Sequence, residues 1–332
     1  MLYAFPVAVL ASLLMQVTPH LQEYLADPLA TADKLESRLK STPTDYQIAN
    51  ELGQLYAACS LGATTVTSNG LLTGASVEKA KSETALECRK RLSEHQIQGV
   101  LLQGAYQLAF LAGQAKRFVT PSFDVQSFAE GLADKAVKGP NGGDVAMSQR
   151  LNTYRFRLSG TVKAEDRATQ ARSLVLLEEE AFVKAGSDNY RFMAATHLIK
   201  DCLVAQDWER TSKYAKFLLD SEMSLRGSWN YGNAIHDANV AMGEVALHNG
   251  DVKAAAGYLL AAGKTPGSPN LNSFGPNMTL ARDLILAGDR KSVLEYFQLC
   301  GAFWKMDRGR LTDWSSTVVQ GGMPNFGANV LY

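Results

Sequence analysis

No stretch of this chain alternates apolar and polar residues with period two, so a half-buried sheet is not expected. Charge of one sign is missing as well. Thirty-three basic residues balance 33 acidic ones, without the basic stripe that tracks a nucleic-acid backbone. Cysteine is sparse: Cys59, Cys88, Cys202 and Cys300 form no Cys-x-x-Cys pair, which removes zinc-ligand spacing. His-Glu-x-x-His patterns and the glycine cradles of nucleotide binders are absent, so no metal and no cofactor are expected. The five histidines are scattered, and His197, His236 and His248, on helical stretches, read as structural.

What is present is ordinary for a folded soluble protein: 46% apolar and 20% charged residues, in a chain long enough for one solenoid or two domains. The N-terminus departs from this. Leu2 to Val17 is apolar apart from Ser12 and Gln16, the size of a signal-peptide core and short for a membrane span. No Lys or Arg precedes it and no clean cleavage site follows. Residues 1–19 read as an export signal, which implies a periplasmic or extracellular protein; a buried first helix and an uncleaved anchor are the rival readings. In an exported chain Cys59 and Cys88 could bridge, while each cysteine also suits a small buried apolar position.

Residues 20–143 read as a helical region. Helices are expected over 31–40, 44–61 and, in one or two pieces, 77–116, around a polar surface loop at 62–76. Gly139-Pro140-Asn141-Gly142-Gly143 is the sharpest breaker and sets a boundary. Residues 144–332 then alternate helices, near 144–157, 164–184, 189–204 and 208–222, with short turns. All four tryptophans lie in this half. A terminal helix over 310–320 precedes a tail whose Phe326, Val330, Leu331 and Tyr332 are expected to fold back as an end cap.

The most informative segment begins at His236. Val240, Met242, Val245, Ala246 and Leu247 recur at helical spacing up to His248. Gly250 can end that helix in the left-handed conformation, and Asp251 can cap a second one from Val252 to Ala262. Gly243 and Ala255 lack bulk, which would let the two helices approach closely. Leu280-Ala281, Leu284, Gly288-Asp289, Val293, Phe297 and Cys300 repeat the design 38 residues later, and Gly267–Phe274 can absorb the excess length. A weaker copy runs from Phe192 through Gln206-Asp207-Trp208 to Leu219.

Met242-Gly243, the Gly250-Asp251 turn, Ala255, Ala262 and Pro266 resemble the tetratricopeptide repeat (TPR), whose period is about 34 residues. Asn239, Ala246 and Leu259 depart from its aromatic positions, and Pro266 comes one place early. The resemblance covers residues 188–306. It implies an all-α, TPR-like superhelix of antiparallel hairpins, a non-enzymatic scaffold holding an extended peptide or partner helix in a concave groove. Carried over, the groove would present Thr196 and Lys200, then Val240 and Glu244, then Met278 and Arg282. Lys200 and Arg282 flanking Glu244 would suit a mixed-charge protein or peptide partner; the other reading is that these charges solvate helix faces.

A different function is suggested by Ser76-Val77-Glu78-Lys79, Ser187-Asp188-Asn189 and Lys264-Thr265-Pro266-Gly267, which approximate the Ser-x-x-Lys, Ser-Asp-Asn and Lys-Thr-Gly set of serine enzymes acting on lactams or peptides. Ser76 and Ser187 both stand where a helix N-cap is favoured. Glu178-Glu179-Glu180 reads as a solvated helix face, and a self-assembling structural array is a further alternative.

Overall fold

The computed structural model describes residues 21–63, 65–66, 72–73, 76, 78–115, 123–139, 143–158, 164–221, 226–227 and 230–330. The fold is all-α. Among the described residues the one strand pairing is a two-residue antiparallel rung, Thr65–Val66 with Leu72–Thr73. No described helix is long and apolar enough to cross a membrane. The segment 1–19, with Leu2–Val17, lies outside the described residues.

Two compact units divide between Lys163 and Ala164. The Gly139–Gly143 break therefore falls inside the first unit. The helix after it packs on the two helices before it and buries Ala146, Met147 and Leu151.

The first unit comprises α1 (Leu21–Ala26), α2 (Pro28–Ser41), α3 (Tyr46–Ser60), α4 (Glu83–Glu94), α5 (Gln98–Ala115), α6 (Val125–Lys138) and α7 (Asp144–Leu158). Asp27, Asp45, Ser82 and Asp124 cap α2, α3, α4 and α6 with their side chains, satisfying backbone donors that a helix start leaves free. Gly53 lets α3 and α5 touch backbone to backbone: a Cβ there would stand 2.6 Å from the Val100 carbonyl and 3.0 Å from the Gly104 nitrogen. A disulfide joins Cys59 at the end of α3 to Cys88 on α4, and both half-cystines are buried. The surface loop expected at 62–76 starts below the surface, with Gly62 and Ala63 buried, and the Ser76 amide donates to the Leu61 carbonyl at 3.0 Å. Most of the residues between lie outside the described set.

The second unit comprises α8 (Ala164–Val183), α9 (Asp188–Ala205), α10 (Trp208–Asp220), α11 (Tyr231–His248), α12 (Val252–Gly263), the short α13 (Pro269–Phe274), α14 (Thr279–Leu286), α15 (Arg290–Cys300) and α16 (Arg310–Val319). One turn chemistry recurs three times. Gln206, Gly250 and Gly288 take positive φ of 56°, 81° and 94°. The following aspartates, Asp207, Asp251 and Asp289, each donate an amide 2.9 Å back to the carbonyl five positions earlier. Their carboxylates then cap α10, α12 and α15 by accepting from Arg210, Ala254 and Ser292. So α9–α10, α11–α12 and α14–α15 fold back as packed pairs, and the segments around Gly250 and Gly288 are neighbours.

Between pairs, α9 meets α11, α11 meets α14, and α12 meets α15. Gly243, expected to let α12 come close, instead receives α14 of the next pair. A Cβ on Gly243 would collide with Leu280 of α14, and one on Gly263 would stand 2.9 Å from Leu299 Cβ of α15. Trp304, Trp314, Phe297 and Phe326 close the end beneath α16. The tail folds back as expected for Phe326 and Val330; Leu331 and Tyr332 lie outside the described residues. Asn329 ties it down, accepting from the Met278 amide at 2.8 Å and donating to the carbonyls of Phe274 and Pro276.

Candidate functional site

Of the six residues expected to line a groove, five lie along the successive first helices α9, α11 and α14 and Met278 stands just before α14; most of them are covered. Thr196 is buried, its hydroxyl donating 2.9 Å back to the Phe192 carbonyl. Val240 belongs to the apolar core. Met278 is fully buried and precedes α14 as its N-cap residue rather than standing on the helix. Glu244 is 8% exposed. Only Lys200 and Arg282 keep part-exposed side chains, at 20% and 39%. The sequence pattern marks an apolar stripe correctly. It cannot say which flank of α11 the next pair covers, and α9 and α14 cover both.

A chain of polar groups runs through this packing. Lys200 Nζ of α9 lies 2.9 Å from Asp237 Oδ2 of α11, an ion pair. Asp237 Oδ1 stands 3.0 Å from His236 Nδ1, which fixes that nitrogen as the donor. His236 Nε2 is 2.9 Å from the Tyr296 hydroxyl of α15, which lies 3.3 Å from the Asn277 carbonyl. Burial alone would raise the Asp237 carboxyl; the Lys200 ammonium and the His236 hydrogen bond outweigh it and hold the group below the usual carboxylate range. His236 is fully buried, as its structural reading implied, and Asn277, Asp237 and Tyr296 are its unforeseen companions. The available signal was adjacent His236 and Asp237 in a helix otherwise lined by Ala234, Ile235, Ala238, Val240 and Ala241. Residues of that polarity inside an apolar stripe require internal partners.

One turn beyond Val240 on α11, Glu244 faces Arg282 and Asp283 of α14. Arg282 is committed to its neighbour, with Nε and Nη2 at 2.7 and 3.1 Å from the two Asp283 oxygens. Glu244 Oε1 is shut off from solvent and accepts no hydrogen bond. Burial, reinforced by the Asp283 charge and only partly opposed by Arg282, pushes its pKa up to about 7.

The hydroxyls of the serine-enzyme pattern have local uses. Ser76 Oγ accepts from the Lys79 amide at 3.4 Å, and Ser187 Oγ caps α9 by accepting from the Tyr190 amide at 3.2 Å. Thr265 donates to the Gly232 carbonyl at 2.7 Å. The solvated face expected of Glu178–Glu180 is corrected: Glu178 is fully buried, and Glu179 accepts from Arg210, Lys213 and Tyr214. These partners come from α10, which α8 meets only after folding. His248 stacks on Trp208 with ring centres 4.3 Å apart. Among the described residues no cluster of His, Cys, Asp and Glu is arranged to hold a metal ion. In the first unit a cleft of about 350 Å³ opens beside Cys59, lined also by Tyr24, Lys79, Ser82 and Thr84.

No family model, no curated protein and no solved structure matches this chain.

Proposed function

We propose that the chain is a non-enzymatic, TPR-like interaction scaffold, exported to a periplasmic or extracellular compartment, whose second unit binds a protein or peptide of mixed charge. One observation carries this reading: α9, α11 and α14 succeed one another in direct contact, and charged groups, Lys200, then Arg282 with Asp283, remain part-exposed along the row. The burial of Thr196, Val240 and Met278 makes them the floor of the row, and recognition falls to those charges. The Cys59–Cys88 disulfide supports the exported reading, because such bonds persist in oxidising compartments.

The test is capture of partners from an envelope extract with the full chain. The double variant Arg282→Asp/Asp283→Arg keeps a local ion pair while reversing its order, and Lys291→Glu alters an exposed charge on α15. A partner retained by the wild type and by Lys291→Glu, and lost from the double variant, is expected. Equal recovery by all three would reject the assignment of the row.

A further inference from the structure

Glu244 sits in the joint between α11 and α14, facing Arg282 and Asp283. Its neighbour Gly243 receives Leu280 of α14 in a contact that leaves no room for a Cβ. Glu244 itself is more than nine-tenths buried, and Oε1 has no donor within reach. Arg282 and Asp283, both from α14, are the charged groups acting on it among the described residues. Lys200 of α9 is engaged by Asp237, two turns earlier on α11. Arg282 is already neutralised by its two contacts to Asp283. A proton on Glu244 thus leaves the joint electrically balanced, whereas its loss puts an uncompensated charge on a carboxyl whose Oε1 is shut off from solvent and accepts no hydrogen bond.

We infer that the α11–α14 joint is a proton-operated hinge: neutral Glu244 keeps α14 clamped to α11, and ionised Glu244 lets α14 open locally, while α15 stays tied to α11 through Tyr296 and to α12 through Leu299. The inference does not depend on what the scaffold binds. Opening releases the carboxyl into water, where it ionises at its ordinary value of 4.5 rather than at about 7. Linkage sets the sign. A carboxyl raised in the closed state favours closure most below pH 4.5, and that advantage is lost progressively until pH passes about 7. Across that window the opening equilibrium changes by roughly 300-fold.

Amide hydrogen exchange on the full chain tests this, at pH 5 and pH 8 and corrected for the intrinsic pH dependence of exchange. Amides of α14 are expected to lose protection by roughly 70-fold at the higher pH, while those of α12 hold. Glu244→Gln is expected to abolish the difference. In Asp283→Asn, which removes the like charge without touching Glu244, the midpoint is expected to move to lower pH. The ¹³C shift of the Glu244 carboxyl should titrate near neutrality in the wild type. Unchanged protection of α14, a pH dependence that survives in Glu244→Gln, uniform loss of protection over the whole unit, or an ordinary titration midpoint for Glu244 would each overturn the hinge.

Discussion

At the scale of single residues, the second unit is held by a few contacts that permit no substitute. Gly232 lies against the Gly267 carbonyl, so a methyl group at 232 has nowhere to go. Gly232→Ala is expected to cost on the order of 2 kcal/mol, read as a shift in urea midpoint without change of slope. The polar chain is equally demanding. Tyr296→Phe removes the hydroxyl shared by His236 and the Asn277 carbonyl, and is expected to cost about 1–2 kcal/mol in the same measurement. Asp237→Asn removes the buried charge that pairs with the Lys200 ammonium, at a cost of roughly 3 kcal/mol near neutral pH. Because the Asp237 carboxyl is held below its ordinary value, its contribution is present above about pH 4 and is lost as acid protonates it. The gap between wild type and Asp237→Asn should therefore close in acid urea titrations; a constant gap down to pH 3 would remove Asp237 from this role.

At the scale of elements, the decisive devices are turns and staples. The Gln206-Asp207, Gly250-Asp251 and Gly288-Asp289 turns share one pattern of bonds, and that pattern was legible because it is written in adjacent residues. Gln206 serves as well as glycine there, at the modest cost of a left-handed side-chain residue. The Cys59–Cys88 staple was only one of two possibilities in the sequence, since a pair 29 residues apart can be matched only once α3 and α4 lie side by side. Cys88→Ser is expected to destabilise the first unit by about 3–4 kcal/mol in the unfolding of a chain kept oxidised, and the effect should vanish when both proteins are reduced. The tail is a third device. Asn329→Ala removes two donated bonds and frees the end of the array, with an expected loss of about 1–3 kcal/mol confined to the second unit.

At the scale of the whole molecule, the chain is two compact units with separate cores, and their boundary was misplaced in the sequence by the loud Gly139–Gly143 breaker. A breaker ends a helix whether or not a domain ends there. Ala146, Met147 and Leu151 show why this one does not: they are buried in the first unit and carry α7 back onto α5 and α6. A chain beginning at Ala164 is accordingly expected to keep its helical circular dichroism and a single urea transition; loss of either would show that the second unit leans on the first.

The sequence by itself determined the all-α class and the three Asp-capped turns that fold α9–α10, α11–α12 and α14–α15 back as pairs, because periodicity, caps and left-handed turns act over a handful of neighbouring residues. It also singled out Lys200, Glu244 and Arg282 as charges in the row of first helices. Only the tertiary structure decided what each of them faces. Burial and electrostatic partners are set by segments distant in the chain: α14 closes over Glu244, Asp237 claims Lys200, and Tyr296 reaches His236 from 60 residues away. No local pattern encodes that, because the energy of a charge depends on everything that has displaced its water.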